Sequence, residues 1–173
     1  MLKFNKKVEY AIIALLYMSD KPAGELTTTR ELSANFSIPQ EILGKVLQSL
    51  ARQQLIASIQ GVRGGYYLNM PLEKITINRV ITAIEGPVQI VNCVETSADC
   101  DCEQLAHCNI RDYMQNLHTL IINFFSAISL KDLKTHLPHV IQTNPFLKAV
   151  VFYKGGVRPE SLGQLVVDLD ETS

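Results

Sequence analysis

"SIPQEILGKVLQSLARQQLIASIQGVRGGYYL", residues 37–68, contains in one run a helix, a glycine-rich turn and two strand-forming segments. Ser37 and Gln40 stand three residues apart, as in a capping box, and Pro39 falls in the first turn, where its missing N–H costs little. The spacing of Ile42, Leu43, Val46, Leu47 and Leu50 predicts a helix with one buried face. "LIASIQ" and "GYYL" are β-branched or aromatic runs divided by "GVRGG", which predicts a β-hairpin.

Upstream, Thr28 and Glu31 form a second capping-box pattern and open a helix of about two turns. Two capped helices across a tight turn suggest a helix-turn-helix, and a hairpin directly after it would be a wing. The first helix is read from Val8, Ala11, Ile12, Leu15 and Leu16, closed by "DKPAGE". Its N-terminal stretch mixes charges into the apolar residues and lacks a small-residue cleavage site, so it does not read as a secretory signal. Beyond the wing, Thr76 is the expected cap of a helix that turns Val80, Ile81 and Ile84 inward and stops at Gly86-Pro87. The expected class is therefore mainly α with a small β-hairpin wing: a winged helix-turn-helix followed by a long C-terminal dimerisation helix.

On this reading the second helix-turn-helix helix presents Gln40, Glu41, Lys45, Gln48 and Ser49 to a major groove, with Thr28 and Ser37 at the helix ends nearby. Arg63 at the wing tip could enter a minor groove, and Gly64 and Gly65 beside it would let the backbone approach the sugar-phosphate chain. Charge is compatible with this but does not establish it. Residues 1–86 carry 10 Lys+Arg against 7 Asp+Glu, a net of +3, whereas residues 87–173 carry 6 against 10, a net of −4. A winged helix can also serve purely as a protein-interaction module. Enzyme chemistry finds little support: there is no nucleophile elbow, and "GVRGG" runs into a strand where a dinucleotide fingerprint needs a helix.

All 4 cysteines lie between Cys93 and Cys108, in "CVETSADCDCEQLAHC", which reads as a loop. No apolar run approaches the roughly 20 residues that span a bilayer. In a reducing cytoplasm such a cluster suits metal ligation or redox sensing better than disulfides. Structural zinc fits the spacing poorly, because such sites usually pair their cysteines at C-x2-4-C spacing; metal-free thiol switching is another alternative. Ile110, Tyr113, Leu117, Leu120, Ile121, Phe124 and Ile128 then recur every three or four residues, an apolar stripe suited to a second subunit or to the chain's own domain. His107, His118, His136 and His139 read as ordinary polar residues.

From Met1 to about Leu133 the chain resembles the winged-helix iron-sulfur transcriptional regulators of bacteria (IscR/NsrR-like). "EYAIIALLYM", "GVRGGYYL", "ITAIEGP" and the cysteine spacing carry the likeness, and "CEQLAHCNIRDYMQNLHTLI" with "SLKDL" looks closest to the SUF cluster-assembly operon regulator branch. The resemblance implies a homodimer on double-stranded promoter DNA, in the cytoplasm and away from membranes. It also implies a two-iron or four-iron cluster on Cys93, Cys102 and Cys108. One branch of the family adds a histidine three residues past the third cysteine, where this chain has Arg111; another takes a carboxylate from the partner's first helix, which maps onto Glu9. Cys100 and His107 are local rivals for that position. The organisation implied is 1–86 for DNA binding, 87–108 for the cluster loop, 109–133 for dimerisation and 134–173 as an extension without an assigned role. Control of iron-sulfur assembly genes is the expected function, with a nitric-oxide or redox-sensing repressor, or a metal-free thiol switch, as alternatives.

Overall fold

Why the chain builds a three-helix platform is clearest in its first helix, α1 (Lys6–Ser19), capped by Asn5, whose side chain accepts from the Lys7 amide at 3.1 Å. The computed structural model describes residues 4–22, 24–90, 102–103 and 107–135. In α1 the fully buried positions are Val8, Ala11, Ala14, Leu15 and Met18, while Ile12 and Leu16, expected inside, are half-buried. The helix is apolar almost all round because it packs against several later elements at once.

The helix-turn-helix follows as α2 (Thr29–Phe36) and α3 (Gln40–Arg52). Thr28 caps α2 as expected, with the full capping box to Glu31. Ser37 does not cap α3. It closes α2 instead in the left-handed region, at φ 54°, and Pro39 takes the N-cap position of α3 without a side-chain cap bond. The turn between the helices leaves no room for a separate cap, since the same three residues must end one helix and start the next. Ser33 stabilises the turn by donating from Oγ to the Ile38 carbonyl at 2.7 Å. Leu43, Val46, Leu47 and Leu50 are buried, and Ile42 is half-buried.

The hairpin is antiparallel, β1 (Ile56–Ile59) pairing with β2 (Gly65–Leu68) in a register that sets Ile56 opposite Leu68 and Ile59 opposite Gly65. A third piece of extended chain joins it: Thr27 exchanges two 2.8 Å hydrogen bonds with Tyr66. A single 3-10 turn (Leu72–Lys74) leads to α4 (Ile77–Glu85), whose Thr76 cap and Gly86 terminus match the expectation. Val80 and Ile81 are buried, and Ile84 is half-buried.

Helix α5 (Arg111–Ala127) and the short α6 (Leu130–Lys134) follow. The junction between them is fastened to the entry of α4 by an antiparallel bridge, Ile77 N to Ile128 O at 2.9 Å and Leu130 N to Ile75 O at 2.8 Å. Ile128 and Leu130 are buried with Ile75 in the same apolar interior. Lys131 pairs with Glu73 at 2.6 Å and Lys134 with Asp20, exposed links that add little beyond the bridge.

Candidate nucleic-acid interface and cysteine segment

The orientation of α2 is set by one carboxylate. Glu31 accepts from the Thr28 amide through Oε2 at 3.4 Å, completing the capping box, and from Tyr17 Oη at 2.5 Å and Lys21 Nζ at 2.6 Å through Oε1. Burial alone would push this carboxyl up, but the bonds from Lys21, Tyr17 and the Thr28 amide outweigh it and hold the group below the usual carboxylate range. Lys21 is the more enclosed partner, its side chain 11% exposed; it also reaches Glu25 at 3.1 Å and the Leu26 carbonyl at 3.0 Å. Against the burial that would lower it, the two carboxylates raise its ammonium above the ordinary value. Asn35 donates to Tyr17 Oη at 2.9 Å, and the Phe36 ring meets Tyr17 edge-on. This junction of α1, α2 and the strap that leads to the hairpin is absent from the sequence reading, which saw Glu31 only as a cap.

Helix α3 turns Gln40, Glu41, Lys45 and Gln48 fully outward, with Ser49 half-buried at the edge of that face. Lys45 Nζ donates to Glu41 Oε1 at 3.0 Å, so in the free protein the main cation of the helix is engaged by its own neighbour. Thr28 and Ser37 are exposed at the two ends of α2, but both already have local work, as cap and as left-handed terminus.

The hairpin is held to the end of α3. Gln54 takes a positive φ of 58°, the Leu55 amide returns to the Leu50 carbonyl at 3.0 Å, and Asn69 Nδ2 donates to the Gln54 carbonyl at 2.9 Å. Arg63 lies exposed at the tip. The glycines near it have reasons inside the protein: a Cβ on Gly64 would stand 2.3 Å from the Ile59 carbonyl oxygen, and one on Gly65 3.0 Å from the Leu26 side chain.

Of the expected cluster ligands, Cys102 and Cys108 are described; both are free thiols, Cys102 exposed and Cys108 half-buried just before α5. Cys93 and Cys100 lie outside the described residues. Glu9 sits in the first turn of α1, partly exposed, and accepts from Lys6 Nζ at 2.6 Å. Among the described residues no group of three or more His, Cys, Asp or Glu is gathered closely enough to hold a metal ion. Two reduced thiols six residues apart fit the thiolate donors that an iron-sulfur cluster takes, and Glu9 would have to leave Lys6 to join them.

The stripe on α5 divides. Tyr113, 70% exposed, with Ile110, Leu117 and Leu120, faces away from the fold, while Ile121 and Phe124 are half-buried and Ile128 is buried. His118, expected to be an ordinary polar residue, is buried on the inward side. With Asn78, Thr82, Pro87 and Val88 it lines a cavity of about 310 Å³ between α4 and α5.

A short capped helix, a tight turn, a second helix with a polar outer face and a pinned hairpin tipped by arginine make up a winged helix-turn-helix. Residues 4–136 match the model of Rrf2, the iron-dependent transcriptional regulators, and the chain belongs to that family. Its members bind DNA to regulate transcription and are not enzymes. The chain is 28% identical over 135 residues to a Rhodobacter capsulatus protein described as an rrf2-like HTH-type transcriptional regulator, covering 75% of this chain and 90% of that protein. Among solved structures it is similar to CymR, the global cysteine regulator of B. subtilis, with TM-score 0.59, 23% identity, and coverage of 78% of this chain and 98% of that one. It is also similar to IscR of T. potens, with TM-score 0.57, 16% identity, and coverage of 78% and 87%. At these identities the two structures speak for the fold. No helix among the described residues is long and apolar enough to cross a membrane.

Proposed function

We propose that this Rrf2-family regulator is a cytoplasmic homodimer that reads promoter DNA with α3 and the wing, and whose affinity follows an iron-sulfur cluster. Cys93, Cys102 and Cys108 would hold the cluster, with the partner's Glu9 or Cys100 as the further ligand. The observation that carries the reading is the position of the free thiols: Cys108 stands at the root of α5, directly ahead of the exposed apolar face of Ile110, Tyr113, Leu117 and Leu120. A group bound there lies in sequence between the DNA-reading elements and the surface suited to the second subunit. When bound, the cluster supplies sensitivity to iron-sulfur supply, oxidants or nitric oxide. The chain's own residues do the rest: α5 sets the spacing of the two α3 helices, and a change of about 1.4 kcal/mol between dimer arrangements alters operator occupancy about tenfold. The SUF-operon likeness points to iron-sulfur assembly genes as targets.

The exposed Cys102 favours one alternative, a switch that works by thiol oxidation without metal. Anaerobic purification with iron, acid-labile sulfide and zinc measured per chain separates the two. Iron and sulfide lost on Cys93→Ala, Cys102→Ala or Cys108→Ala are expected, and Cys100→Ala and Glu9→Ala identify the remaining ligand. Zinc without sulfide, or no metal, would refute the cluster reading.

A further inference from the structure

The tip of the wing breaks a local rule. Gly64 N donates to the Gly61 carbonyl at 2.9 Å, closing a turn whose two central residues are Val62 and Arg63. Such positions ordinarily go to Gly, Asn, Asp, Ser or Pro, and a β-branched side chain gains nothing from being there. Val62 is nevertheless fully exposed, and Ile59, at the end of β1, is 51% exposed. Gly61 at φ 121° and Gly64, where a Cβ would meet backbone, define the backbone of the turn at both ends, so Val62 and Arg63 stand together at its apex. The hairpin and its flanks, residues 53–70, carry Arg63 and no carboxylate. The partner this surface suits is a polyanion with apolar walls.

We infer that Val62 is an apolar wedge that seats against the deoxyribose walls of the DNA minor groove, with Arg63 beside it drawn in by the groove's negative potential. The inference deepens the DNA-reading function proposed above and rests on it. Arg63 contributes charge, which any duplex satisfies. Val62 contributes shape, because its methyl groups make contact only where the groove has the right width. Departures from local sequence preference of this kind are expected where function overrides folding.

The test uses the full-length dimer, purified without oxygen, and the duplex that the wild type enriches most from random-sequence DNA. Val62→Asn places a residue that turns favour, so the hairpin is retained and an unchanged melting temperature verifies it. By fluorescence anisotropy, Val62→Asn is expected to bind about tenfold more weakly with an unchanged salt slope, whereas Arg63→Ala lowers the slope by about 1. Val62→Ile should bind within about twofold of wild type, and hydroxyl-radical protection at the wing's footprint should vanish only where the apolar side chain is lost. Affinity of Val62→Asn within twofold of wild type would overturn the wedge and leave the apex as a surface for a protein partner. Equal weakening by Val62→Ile would overturn it as well. If the wild type enriches no duplex, the underlying DNA-reading function fails with it.

Discussion

Glu31→Gln tests whether one carboxylate holds the helix-turn-helix in place. The substitution keeps the side-chain volume and part of the capping box but removes the charge that Lys21 and Tyr17 address at 2.6 and 2.5 Å. A hydrogen bond to a charged group is worth about 1.5–3 kcal/mol net, and a partly exposed ion pair up to about 1 kcal/mol. Lys21 keeps Glu25 and the Leu26 carbonyl, and Tyr17 keeps Asn35, so the loss is partial. A destabilisation of about 2 kcal/mol is expected at neutral pH, or roughly 8 °C in melting temperature for a domain of this size. Because the folded-state carboxyl titrates below its ordinary value of 4.5, this stabilisation is fully present above that pH. It is lost as pH falls through the lowered value. Chemical denaturation of wild type and variant at pH 7 and pH 3 measures both. A difference below about 0.5 kcal/mol at pH 7, or one that stays as large at pH 3, would refute the reasoning.

Gly64→Ala should cost more than about 2 kcal/mol, since its Cβ would stand 2.3 Å from a backbone carbonyl, and should abolish tight DNA binding; denaturation and anisotropy on the same preparation read both. Lys45→Ala should weaken binding and lower the salt slope by about 1, while Glu41→Gln, which frees Lys45 from its 3.0 Å partner, should tighten binding about threefold. Leu117→Glu with Leu120→Glu should convert the protein to a folded monomer by light scattering; a persistent dimer would remove α5 as the interface.

Periodicity and caps made much of this fold legible, because each signal is local. Thr28 and Thr76 cap their helices and the glycine-rich run turns the hairpin, each as its own local pattern predicts. Ser37 shows where local pattern misleads: Ser-x-x-Gln is a cap only if the serine is free to adopt extended backbone, and here the end of α2 claims it for a left-handed turn. On α1, apolar residues on nearly every side hid which ones are deepest, so Ala14 and Met18 were missed and Ile12 and Leu16 overrated. The Tyr17–Glu31–Lys21 junction and the return of Ile128 to Ile77 join residues far apart in the chain, and periodicity carries no such information. The Ser129–Asp132 capping box opens α6, a helix that the sequence reading does not include.

The bridge from Ile128 and Leu130 to Ile75 and Ile77 brings the chain back to the entry of α4 after it has left from the opposite end of that helix at Gly86. Closing such an excursion becomes harder only slowly as it lengthens, by about 0.6 kcal/mol for each doubling. The return of the chain through Ile128 and Leu130 is therefore little affected by how long the excursion before it is, and the DNA-reading half keeps this anchor at any such length.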